Sequence, residues 1–203
     1  MTAVTIFMEG GGLGLATKNR LRRGMDAFLR DPRQAAGARS WRWQLVCCGD
    51  RGRAFKAFER EVKRGEPGLV VLLVDSEDPV TADTFREHLE RRDGWTIDFA
   101  PGDRVHLMVQ TMETWIVADR TALKDYYGEG LDESELPGSD DLEAASTVGK
   151  ALERATRSTG KGEYRKIGHA SDLLRRIDPE TVRRRCPACR RLFETLTAEI
   201  GRR

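Results

Sequence analysis

The sequence predicts an α/β fold, with a largely parallel central sheet, helices on both faces and a helical appendage at the C-terminus. Three observations carry this expectation. In Leu69–Pro79, LVVLLVDSEDP, six apolar residues lead directly into Asp75, Glu77 and Asp78. An unbroken Val- and Leu-rich run suits a strand covered on both faces, and Pro67-Gly68 before it and Pro79 after it restrict it to strand length. Further apolar runs at Val4–Met8, Trp41–Cys47 and Val105–Gln110 are separated by amphipathic stretches, the alternation of a βαβ chain. Beyond residue 128 the strand signals stop and only helical patterns follow.

Each element has a local reason. Val4–Met8 is the first strand, ending at Glu9, and Glu9-Gly10-Gly11-Gly12-Leu13-Gly14 is a glycine-rich turn that allows close backbone approach. Neither phosphate-loop fingerprint is met: Lys18 follows Gly14-Leu15-Ala16-Thr17, and Gly12 and Gly14 are followed by Ala16 and Thr17. Asn19–Arg30 is expected as a helix with Leu21, Met25, Phe28 and Leu29 inward, stopped by Asp31-Pro32, and Arg33–Ser40 as a loop. Trp41–Cys47 is the second strand and Ala54–Arg64 the next helix, with Arg51 and Arg53 at the turn between them. After the central strand come a helix over Asp83–Arg92, a short extended piece at Trp95–Asp98 and a buried strand, Val105–Gln110. Met112, Trp115 and Ile116 then mark a helix, and Leu123–Tyr127 continues helically. Gly128–Asp141, acidic and containing Pro137-Gly138, reads as a loosely packed excursion. Helices follow over Leu142–Thr156, Ser171–Ile177, Pro179–Arg185 and Cys189–Ile200.

At 203 residues the chain suits one domain with an appendage, divided here into a core over residues 1–127 and a C-terminal subdomain over residues 128–203. With 39% hydrophobic and 33% charged residues, a real core lies under a heavily charged surface. No run of 18 apolar residues exists and the N-terminus lacks a signal-peptide pattern, so a cytoplasmic protein with no membrane partner is expected. The net charge of +2 says little, but its distribution is uneven. Seven acidic residues and no Lys or Arg lie between Glu129 and Glu143, whereas Lys161 onward carries twelve basic against six acidic residues. Such asymmetry can steer nucleic acid or an acidic partner, although solvated helix faces account for the same charges. Cys186 and Cys189 have half of a zinc spacing without a second half, so these and Cys47-Cys48 are expected as structural thiols. His106 reads as a core residue, and His169, after Lys166-Ile167-Gly168, is the histidine placed for a phosphate contact.

Acidic residues thus follow three predicted strands: Glu9, then Asp75, Glu77 and Asp78, then Glu113. Ligand sites of open α/β sheets lie at the carboxyl ends of strands, where these positions converge. Carboxylates gathered there suit Mg²⁺ or Mn²⁺ and phosphodiester chemistry; capping of the following helices would use the same residue types. Lys18, Arg22, Arg51 and Lys166 are the candidate phosphate contacts.

The stretches MEGGG (Met8–Gly12), LRRG (Leu21–Gly24), CGDR (Cys48–Arg51), LLVDSEDPV (Leu72–Val80), LMVQTMETWIVADR (Leu107–Arg120) and YRKIGHASDLL (Tyr164–Leu174) carry a resemblance to the bacterial DUF4276 family. That family in turn looks like a divergent branch of Toprim-type, OLD-like nucleases. The resemblance implies a Toprim-like Rossmannoid core in which Glu9 is general acid/base, Asp75 the first metal position and Glu77 the second, with Asp78 able to substitute. Toprim domains carry Asp-x-Asp, and this chain has Asp75-Ser76-Glu77 instead. It further implies a nuclease acting on DNA or RNA in phage defence beside an ABC- or SMC-like ATPase, and a chain able to form a homo-oligomer. A non-catalytic regulatory or assembly subunit of such a complex is the rival expectation, since Glu77 departs from the pattern.

Overall fold

Four strands of the computed structural model, which describes residues 2–138 and 142–202, pair into one all-parallel sheet in the order β2-β1-β3-β4. They are β1 (Ala3–Gly11), β2 (Arg42–Gly49), β3 (Gly68–Asp75) and β4 (Val105–Met108). The chain winds outward from β1 to β2 on one side, then returns to place β3 and β4 on the other. The order therefore reverses between β1 and β3, the position at which an open parallel sheet leaves a crevice at its carboxyl edge. Met8 pairs with Leu73 and Asp75 with Met108, so the register brings the acidic ends of β1 and β3 side by side.

Ten α-helices lie among the described residues: α1 (Leu15–Phe28), α2 (Arg30–Ala38), α3 (Arg51–Arg64), α4 (Phe85–Asp93), α5 (Met112–Ala118), α6 (Arg120–Tyr127), α7 (Val148–Thr156), α8 (Lys166–Leu174), α9 (Pro179–Arg185) and α10 (Pro187–Gly201). Strand alternation sends Val4, Ile6, Met8, Val71 and Leu73 into the larger core with α1, α5, α8 and α10. Phe7, Leu72, Val74 and Leu107 face the smaller core with Ala54 and Phe58 of α3 and Leu89 of α4. Trp115 is fully buried and stacks on Phe28 at 5.5 Å, while Phe193 meets Phe28 edge-on at 5.6 Å. These three rings, from α5, α1 and α10, tie the C-terminal helices to the sheet.

Several elements differ from expectation for identifiable reasons. Pro32 does not end the helical region. The chain breaks at Leu29 and Pro32 falls in the first turn of α2, where its missing N–H is not needed. The extended piece expected at Trp95–Asp98 forms no strand; Trp95 instead stacks on Phe55 at 4.4 Å. The described part of the acidic segment is not loosely packed: Leu136 is buried, Glu133 pairs with Lys124 and Glu135 with Arg154. Residues 139–141 of that segment lie outside the described residues. Turns occupy 142–147, and α7 starts only at Val148. Both α1 and α8 begin earlier than their apolar periodicity suggests, because their first turns expose Leu15 and Ile167 instead of burying them.

Candidate metal centre

Glu9, Asp75 and Glu77 come together at the β1–β3 reversal, each offering a carboxylate oxygen within 4.8 Å of the others. Their placement follows from the sheet. Glu9 lies two residues before the end of β1, and its Oε2 accepts the backbone N–H of Asp75 at 3.2 Å. Asp75, the last residue of β3, is 1% exposed, and its Oδ1 accepts the N–H of Met112 at the start of α5, 2.9 Å away. Glu77 stands in the left-handed region at φ 65°, a conformation that costs a non-glycine residue about 1–2 kcal/mol. Its N–H donates to Gln110 O at 2.8 Å, and the neighbouring Ser76 N–H to Met108 O at 3.0 Å, so the turn is clamped to the end of β4. Strain held in this way is commonest where a side chain must be aimed.

Burial sets the acidity. It is the largest influence on Asp75, whose pKa rises from 3.8 to about 7; the Lys166 charge opposes the rise, and Glu9 and Glu113 add to it. Glu9 is likewise raised by burial, against the pull of Arg51 and Lys166. Lys166 Nζ sits 3.1 Å from Asp75 Oδ2 and 3.7 Å from Glu113 Oε2. Burial works against its charge, yet these carboxylates outweigh it and raise its pKa. Glu113, 4% exposed, accepts a hydrogen bond from the Tyr164 hydroxyl at 2.9 Å. Burial, reinforced by that carboxylate, keeps the phenol protonated well above its ordinary range.

Two cavities flank Lys166. One, of about 350 Å³, is walled by Glu9, Gly10–Gly12, Thr17, Leu21, Met112 and Ile167. The other, of about 370 Å³, is walled by Glu77, Thr111, Glu113 and the first turn of α7. The first owes its shape to glycine: Gly11 stands at φ 80°, and a Cβ there would lie 2.8 Å from the Lys18 backbone. Instead of leaving the sheet at Glu9, β1 continues through a bulge at Gly10–Gly11.

The other expected site residues separate. Asp78 turns outward, accepting from Arg92 Nε at 3.0 Å, and does not join the cluster. Glu113 stands beside the centre, not in it, engaged by Tyr164 and Lys166. Arg51 is no free phosphate contact: its Nη1 donates to Asp75 O at 3.1 Å, its Nη2 pairs with Asp93 at 2.8 Å, and its guanidinium lies 5.3 Å from the Trp95 ring centre. Lys18 donates to Cys48 O at 3.3 Å, and Arg22 is exposed on α1. Only Lys166 lies within both cavities. His169 is occupied by the Tyr127 hydroxyl at 3.0 Å, and buried His106 approaches Asp103 O at 3.0 Å. Cys186 and Cys189 are buried free thiols, Cys186 pushed up to about 12 by burial, and among the described residues neither joins a metal-ligating group. Tyr164 is the site residue that sequence reasoning missed. It precedes a helix whose apolar period starts later, so only its neighbour Lys166 drew attention.

No curated protein and no solved structure matches the chain. A model of the family described as "Domain of unknown function (DUF4276)" matches residues 8–197, nearly the whole length. The chain, with its parallel sheet and acidic switch point, belongs to the DUF4276 family.

Proposed function

We propose that the protein is a metal-dependent phosphodiesterase of divergent Toprim type that cleaves DNA or RNA. The observation that carries this reading is the convergence of the Glu9, Asp75 and Glu77 oxygens within 4.8 Å at the sheet reversal. The donor set is all oxygen and carries three formal negative charges against two adjacent cations, Lys166 and Arg51, which fits a hard divalent ion such as Mg²⁺ or Mn²⁺. Glu9, Asp75 and Glu77 would hold it. Bound there, such an ion polarises a phosphodiester and stabilises the leaving oxygen.

The chain's own groups supply the remaining requirements. Glu9, whose hold on a proton is strengthened by burial, is the carboxylate suited to carry a proton in the reaction. Lys166 presents a positive charge to both cavities, where the phosphate of a bound strand would lie. At Gly10 and Gly11 the missing side chains admit Leu21 and Lys18 of α1, and Gly12 leaves its side of the turn open to a bound nucleotide. Arg51 fixes the turn that carries Glu77 by holding the Asp75 carbonyl. The order of acids, a glutamate after the first strand and Asp-x-Glu after β3, supports the Toprim reading.

A second reading is a non-catalytic regulatory or assembly subunit of an ATPase-containing defence complex. It is favoured by Leu13, Leu15 and Ile167, which stand 78%, 75% and 63% exposed near the glycine turn and the start of α8 and suit a protein contact. Cleavage assays with Mg²⁺ or Mn²⁺ on single- and double-stranded DNA and RNA decide between the two. Nuclease action predicts cleavage that Glu9→Gln lowers by about 10²–10⁴-fold and Asp75→Asn abolishes. Cleavage that is the same in wild type and both variants excludes the catalytic reading. An ATPase captured equally well by wild type and variants favours the assembly role.

A further inference from the structure

Both oxygens of Asp75 are already engaged in a way that bears on how a cation enters. Oδ1 accepts the Met112 N–H, a main-chain donor fixed by α5. Oδ2 accepts Lys166 Nζ at 3.1 Å. With Asp75 1% exposed, neither oxygen is open to solvent, and the oxygen whose partner can leave is Oδ2. An ammonium and a divalent ion on one carboxylate oxygen lie only a few ångströms apart and repel in a poorly solvated site. The lysine therefore has to go somewhere, and the structure provides the place. Glu113 Oε2 lies 3.7 Å from the same Nζ, too long for a good hydrogen bond and close enough to be reached by a side-chain rotation. Glu113 is itself fixed by the Tyr164 hydroxyl on its other oxygen. Lys166 starts α8, its side chain is 49% exposed, and it borders both cavities, so the movement meets open space.

Resting on the metal-site reading above, we propose that Lys166 is the resident counter-cation of this centre and is handed from Asp75 to Glu113 when a divalent ion binds. Lys166 is then a positioning residue that sets metal affinity, and Glu113 with Tyr164 is its receiving post. This explains why Glu113 is buried beside the cluster without belonging to it. The transfer moves the ammonium toward the α7 side of the cleft, leaving it free of the bound ion and available to an anion that enters with it.

Calorimetric Mn²⁺ titrations at pH 8.5 of wild type, Lys166→Met, Glu113→Gln and the double variant test the transfer, with lysine side-chain NMR of the wild type during Mg²⁺ addition. Removing the competing ammonium is expected to tighten binding at least tenfold. Removing the receiving carboxylate is expected to weaken it several-fold, and to have no further effect once Lys166 is gone, because the two act as one coupled pair. The Lys166 side-chain signal should shift in proportion to metal occupancy. Metal affinity in Lys166→Met equal to or weaker than wild type overturns the transfer, as does a Glu113→Gln effect that persists without Lys166. A Lys166 signal that stays still while metal binds overturns it without any variant. Binding by none of the four proteins removes the metal reading and the transfer together, whereas wild-type binding with a silent Lys166 removes the transfer alone.

Discussion

Asp75 shows how far a single position departs from its chemistry in water. Its pKa, raised by burial from 3.8 to about 7, means that the folded chain holds this proton more tightly than the unfolded chain does. Its contribution to stability is therefore complete below pH 3.8 and is lost as the pH rises through about 7. Asp75→Asn, which carries no titrating group, should flatten the fall in melting temperature over that window; a variant as pH-sensitive as wild type would show that the dependence arises elsewhere. Arg51 makes a second residue-scale case. Arg51→Met removes the donor to the Asp75 carbonyl and the Asp93 partner, so it should cost about 2–3 kcal/mol in denaturant unfolding. Glu9, Asp75 and Glu77 were legible because each ends or follows an apolar run, a local signal. Arg51 was legible as a residue at the turn before α3, whereas its carbonyl, carboxylate and ring partners come from β3, the end of α4 and Trp95 just beyond it, which no local pattern encodes. Tyr164 and Lys166 reach Glu113 and Asp75 across 51 and 91 residues of sequence, through the docking of α8, which no local pattern encodes.

Among elements, α1 and α8 form the contact most sensitive to side-chain size. Gly24 lies inside α1, and a Cβ there would stand 2.6 Å from the Ser171 carbonyl oxygen of α8. Alanine in a helix interior ordinarily gains about 1 kcal/mol over glycine. Here Gly24→Ala should instead destabilise by about 1–3 kcal/mol, read as a lower midpoint in urea, because the obstacle is backbone. The α9–α10 junction makes the opposite kind of prediction. Cys186 and Cys189 lie buried in the larger core with burial holding both thiols protonated, so a zinc-selective chelator should leave the melting temperature unchanged and thiol reagents should react only on unfolding. Strands and long helices were legible from apolar period. Helix starts that expose Leu15 or Ile167 were not, since a first turn needs no buried face.

For the molecule as a whole, the sheet order determines what can be stabilised by what. A divalent ion that binds only the folded chain adds RT ln(1 + [L]/Kd), about 2.7 kcal/mol at one hundred times Kd. Mg²⁺ or Mn²⁺ should therefore raise the wild-type melting temperature and leave Asp75→Asn unmoved, and an equal rise in both would place the ion elsewhere. The parallel sheet was readable from alternation of strand and helix patterns, but the position of β1 between β2 and β3 was not, because pairing order depends on contacts far apart in sequence.

The Gly24–Ser171 contact also carries a mechanical meaning. Thr17 and Leu21 of α1 and Lys166, Ile167 and Ser171 of α8 all wall the cavity beside Glu9, so the two helices work like the legs of a pair of calipers. They approach each other at a position with no side chain, Gly24, and the residue it meets, Ser171, is itself part of the cavity wall. A methyl group added at Gly24 would press directly on that wall, so the width available to whatever enters is gauged by the absence of one side chain.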